Sequence, residues 1–126
     1  MKRGKIIPNG VSLEKHENDT VVFFTNLGYD VELIPPSNTP KAKTPDFMMN
    51  GKAWEMKSPQ GKSSTSLEHI FKKATKQSMN VIIDLSHSKM NDKVAVKELT
   101  RYFYQTSSCR MLKIITKELK LLELKK

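Results

Sequence analysis

From Phe47 to Lys57 the chain reads as two short strand-like runs, Phe47-Met48-Met49 and Lys52-Ala53-Trp54-Glu55-Met56-Lys57, hinged on Asn50-Gly51. Asn-Gly between such runs is the strongest local hairpin signal, because both turn residues must take positive φ. A two-residue turn pairs Met49 with Lys52, Met48 with Ala53, Phe47 with Trp54 and Asp46 with Glu55. Side chains alternate between faces along a strand. Phe47, Trp54 and Met56 therefore belong to a core face. Asp46, Glu55 and Lys57 share the opposite one.

Helical and strand-like spacings follow one another along the rest of the chain. Ser12 can cap a helix to about Leu27, closed by Gly28 at its C′ position, with Leu13, Thr20, Phe24 and Leu27 inward. Glu17 falls within that stripe and Glu14 near its edge. An acid on an inward face requires a partner. Tyr29–Ile34 predicts a strand, followed by a Pro-rich connector from Pro35 to Pro45 that carries Lys41 and Lys43. Ser58–Ser66 reads as a polar loop. Thr65-x-x-Glu68 fits a capping box and opens a helix to about Ser78. Leu67, Ile70, Phe71 and Ala74 face inward there. Lys72, Lys73 and Lys76 face outward, and Gln77 borders the inward stripe. Val81-Ile82-Ile83-Asp84-Leu85 predicts a central strand. A third helix over residues 92–105 takes Asn91 or Asp92 as its cap and turns Ala95, Leu99, Tyr102 and Phe103 inward. Strands at about 111–116 and 119–124 close the chain. Residues 1–11 read as a basic, irregular lead-in of the kind left by a cut from a larger parent. Residues 12–126 read as one α/β domain with a mixed sheet.

Bulk properties narrow the function. The chain's 126 residues are enough for one core. Lys and Arg outnumber Asp and Glu by 22 to 13, a net charge of +9 that points to a polyanionic partner, nucleic acid first. The single cysteine, Cys109, rules out an internal disulfide and a cysteine-based metal site. No apolar run is long enough to span a membrane, so no stable membrane insertion is expected. The basic N-terminus has no apolar segment of a signal peptide.

The hairpin carries the candidate chemistry. Like charges directly opposite destabilise a sheet. A divalent cation relieves such a pair, and Mg²⁺ takes one or two carboxylates plus waters and phosphate oxygens. A lysine beside it can orient a water or hold charge on a phosphate. The histidines His16, His69 and His87 are scattered without metal-ligand spacing. His16 and His69 are expected in solvent, whereas His87 follows the central strand. Gly61-Lys62-Ser63 is not a P-loop, whose first glycine would fall at Met56.

Pro45-Asp46 followed by Glu55-x-Lys57 resembles the PD-(D/E)xK nuclease motif. The order of elements resembles that superfamily's restriction-endonuclease-like αβββαβ core, here extended by a helix and a β-hairpin. The resemblance implies that Asp46 and Glu55 bind a divalent metal and that Lys57 activates the water. It adds Glu17, or failing it Glu14, as a third ligand from the first helix, and Gln77 as a helix contact. Lys43, Lys72 and Lys76 are expected to hold the substrate backbone. More narrowly, Leu27-Gly28-Tyr29-Asp30-Val31, Thr44–Phe47, Asn50–Pro59, Lys76-Gln77 and Val81–Asp84 resemble the CdiA C-terminal tRNase toxins. That resemblance implies a toxin delivered within a larger secreted or cell-surface protein, acting in the target-cell cytoplasm. It also implies Mg²⁺ as cofactor, tRNA as the favoured substrate and a cognate immunity protein. A DNA endonuclease of the same fold, or a non-catalytic nucleic-acid-binding module, are the competing readings.

Overall fold

The computed structural model describes residues 2–37 and 44–126. In chain order the elements are β1 (Ile6–Ile7), α1 (Lys15–Asn26), β2 (Val31–Leu33), β3 (Phe47–Met49), β4 (Lys52–Lys57), α2 (Ser64–Thr75), β5 (Asn80–Asp84), α3 (Asp92–Gln105), β6 (Met111–Ile115) and β7 (Leu121–Lys125). The strands form a mixed seven-stranded sheet in sequence order. Neighbours are parallel at β1/β2, β4/β5 and β5/β6, and antiparallel at β2/β3, β3/β4 and β6/β7. Parallel neighbours need long crossovers, and α2 and α3 supply those between β4 and β6. The stretch α1-β2-β3-β4-α2-β5 reproduces the expected αβββαβ order, and α3 with the β6–β7 pair completes the expected C-terminal extension.

Two apolar cores cover the two sides of the sheet. Val21 and Phe24 of α1 pack with Phe47, Trp54, Met56, Ile82 and Ile115. Leu67 and Phe71 of α2 and Leu99 and Phe103 of α3 pack with Val81, Ile83, Leu112 and Ile114. The split between Ile82 and its neighbours Val81 and Ile83 is the period-two alternation of a strand buried on both faces.

The hairpin register holds for Phe47 with Trp54, Met48 with Ala53 and Met49 with Lys52, but the expected Asp46–Glu55 pair lies outside the ladder, because the Asp46 amide donates to the Trp54 carbonyl. Asn50 has φ 55° and Gly51 φ 77°, the left-handed pair that a tight hairpin turn demands. Trp54 Nε1 donates to the Met49 carbonyl at 2.9 Å and ties the buried indole across the turn.

Several expectations shift. The first helix is capped at Glu14, not Ser12, and Glu17 Oε1 accepts from the Glu14 amide at 3.0 Å. Its buried face is Thr20, Val21, Phe24 and Thr25, while Leu27 lies past the helix end and is exposed. The second helix starts from Ser63, whose hydroxyl accepts from Ser66 N, and not from a Thr65 capping box. It ends at Thr75, so Gln77 sits in the turn beyond it. The lead-in is not wholly irregular, because Ile6–Ile7 pairs with Val31–Glu32. Lys41 and Lys43 lie outside the described residues.

Candidate active site

Asp46 sits where the sheet parts. β3 begins at Phe47, opposite Trp54, but β4 runs on to Lys57. The Asp46 amide donates to the Trp54 carbonyl at 2.9 Å. Its side chain then replaces the missing strand, for Oδ2 accepts from the Met56 amide at 2.8 Å. Pro45 precedes it and has no N–H to continue the ladder. One short backbone feature thus fixes the carboxylate against the end of β4.

Glu55 and Lys57 come from β4 itself, on the face opposite Trp54 and Met56. Lys57 Nζ lies 3.2 Å from Glu55 Oε2. Glu55 is 4% exposed, and its Oε1 is buried without a hydrogen-bond partner. Burial pushes the Glu55 carboxyl up to about 7, the nearby Asp46 charge adds to the rise, and Lys57 opposes it. Asp46 is also raised by burial, against the lowering effects of the Met56 amide, a side-chain hydrogen bond with Glu55, and Lys57. Perturbed acids facing each other in a cleft are the electrostatic mark of a functional site.

A cavity of about 270 Å³ opens on Asp46 and Lys57. Asp46, Lys57 and Ser58 line one wall, His16, Glu17 and Thr20 of α1 another, and Ile70 of α2 closes it. Glu17 therefore does reach the expected place and adds to the negative field on Asp46. Among the described residues no three His, Cys, Asp or Glu side chains converge as a ligand set. One Glu17 oxygen caps its own helix.

Three contributors were not legible beforehand. His16, expected in solvent, lines the cavity. Ser58 Oγ, also in its wall, is buried without a partner. Asp84, 2% exposed, accepts from Thr20 Oγ1 at 2.6 Å and clamps α1 to the end of β5. The motif spacing gives no sign of any of them, because each depends on how α1 and the loop after β4 pack. Of the expected backbone contacts, Lys72, Lys76 and Gln77 line a separate depression with His69 and Lys73. Gln77 also shares a small hollow with Asp46, and its Oε1 is buried without a partner. Lys43 is outside the described residues.

The donor set suits a hard divalent cation. Two carboxylates stand together, and Glu55 Oε1 is an orphaned buried oxygen of the kind a cation satisfies.

Comparison with known proteins agrees with this architecture. Residues 43–121 match the model of the family described as contact-dependent growth inhibition CdiA C-terminal domain. Among curated proteins none matches significantly. A solved chain from a CdiA-CT/CdiI toxin and immunity complex of Burkholderia pseudomallei superposes with a TM-score of 0.69 at 21% identity, over 93% of this chain and 92% of that one.

Proposed function

Since the chain belongs to the contact-dependent growth inhibition CdiA C-terminal domain family and is thus a toxin domain, we propose that it kills by hydrolysing phosphodiester bonds in nucleic acid, with tRNA as the favoured substrate. The observation that carries this reading is Asp46 and Lys57 in the wall of an open cavity, with the Lys57 ammonium 3.2 Å from the buried Glu55 carboxylate. That group matches the Asp, Glu and Lys of the PD-(D/E)xK motif.

Asp46 and Glu55 would hold a Mg²⁺ ion, which when bound supplies positive charge at the phosphate and lowers the pKa of a water. Lys57 keeps the Glu55 carboxylate oriented and offers its remaining N–H donors to a phosphate oxygen. Asp46, fixed by the Met56 amide, would turn its other oxygen to that ion, and Lys57 would orient the attacking water. His16 on the facing wall would give a proton to the leaving oxygen. Water adds to phosphorus as the bond to the leaving ribose oxygen breaks. The net charge of +9 draws in the polyanion.

In this reading the domain travels at the end of a larger toxin and acts inside the target cell, and a cognate immunity protein covers it. The similar solved chain is described as part of a toxin and immunity complex. Incubation with bulk tRNA and with plasmid DNA, with and without Mg²⁺, separates the RNase from the DNase of the same site. Cleavage of neither would overturn the proposal.

A further inference from the structure

The cavity does not end at α1. His16 is a wall shared with a second depression of about 450 Å³, lined also by Lys15, Asp19, Gln60, His87 and Lys89. On the opposite side Asp46 is a wall shared with the hollow that contains Gln77, and Gln77 in turn borders the α2 lysines. The depressions follow one another through shared wall residues, with Asp46 and Lys57 in the middle. The α2 end was anticipated from the sequence. The end beyond His16 was not.

Three segments build that end: the first turns of α1, the loop after β4 and the loop after β5. The two loops are stitched together, since Ser88 Oγ and the Lys89 amide both donate to the Gly61 carbonyl at 3.2 Å. Asp19 lies 3.3 Å from Lys15 Nζ and 3.5 Å from His87 Nε2, which brings the ammonium and the imidazole to one place. Among the described residues no carboxylate pairs with the exposed Lys89. Lys15 and Lys89 bring two ammonium groups to the depression, beside the carboxylates of Asp19 and of Glu14, which lies 3.6 Å from His16 Nε2.

We infer that this depression is a second phosphate-binding subsite, which holds the sugar-phosphate backbone of the substrate strand on the far side of the scissile bond from α2. The inference rests on the nuclease reading. Continuity with the catalytic cavity through His16 favours a nucleic-acid strand over the carboxylates of a protein partner. A backbone clamped on both sides of the cut places the reacting phosphate by orientation as well as charge.

The test is equilibrium binding of labelled bulk tRNA to an Asp46→Ala parent, which cannot turn over, across a range of salt. His87→Ala/Lys89→Ala in that background should weaken binding about fivefold or more and lower the log–log salt slope by about 1–2, as expected for one or two lost phosphate contacts. Both residues are exposed, so melting temperature should not move. Lys97→Ala, on the exposed face of α3, should leave the slope unchanged. An unaltered slope in the double variant, with the parent binding normally, overturns the subsite and leaves the nuclease reading standing. So does unaltered tRNA binding with lost binding of polyglutamate, which would make the depression a protein-docking surface. If the parent binds no tRNA and wild type cuts no nucleic acid, the nuclease reading fails first.

Discussion

Lys57 Nζ contacts one oxygen of Glu55 at 3.2 Å, while the other Glu55 oxygen is buried without a partner. A carboxylate satisfied on one side only, with Asp46 beside it, is costly for folding. The strain is intelligible if the free oxygen is kept for a ligand.

That cost should be visible as pH-dependent stability. Glu55 is raised from 4.5 to about 7. The folded state therefore holds the proton more tightly than the unfolded one, so this contribution is full below the unfolded pKa. It is lost as pH climbs through the folded value. At one pKa unit per 1.36 kcal/mol the loss is on the order of 2–3 kcal/mol between pH 4.5 and pH 8. Asp46 is shifted in the same direction. Calorimetric melting temperatures without metal should fall over this range in wild type and hold nearly flat in Glu55→Gln. Equal slopes would refute the assignment.

Divalent cation should reverse the loss. At pH 8, Mg²⁺ at about a hundred times its dissociation constant should stabilise wild type by about 2.7 kcal/mol. Glu55→Gln and Asp46→Asn should respond much less. Asp46→Asn keeps an oxygen for the Met56 amide, so its fold is retained. The readout is the shift in melting temperature on adding MgCl₂ and its removal by EDTA.

Gly51→Val tests the hairpin. Gly51 stands at φ 77° with open space around its α-carbon, so the penalty is conformational, not steric. Left-handed backbone at a β-branched residue costs of order 1–3 kcal/mol. Urea titration should show that loss. Cleavage should fall further than the folded fraction does, because the turn sets Asp46 against Glu55.

Much of this site was legible because its cause is local. Asn50-Gly51 fixes the register of β3 on β4, and Asp46, just before β3, is then set by the Trp54 carbonyl and the Met56 amide. The helix caps were less legible. Glu14 and Glu17 form a reciprocal first turn without the usual Ser or Thr, and that choice moved the start of α1 and engages one oxygen of Glu17 in the cap. His16 and Ser58 were hidden for a different reason: they reach the cavity only through the packing of α1 and the loop after β4, which no spacing in the chain encodes. The Thr20–Asp84 bond spans 64 residues and is likewise tertiary.

Ser58→Ala should separate function from stability. An unpartnered buried hydroxyl costs about 1–3 kcal/mol, and Ser58 Oγ is one. Its removal should leave the melting temperature unchanged or raised, while KM for nucleic acid increases. A clear drop in melting temperature with normal KM would mark Ser58 as structural.

The most direct test of the central claim is single-turnover cleavage of end-labelled tRNA in Mg²⁺ by wild type, Asp46→Asn, Glu55→Gln and Lys57→Met, each checked for native melting. Cleavage by wild type with losses of about 10²-fold or more in all three variants is predicted. Wild-type rates in any folded variant would contradict it.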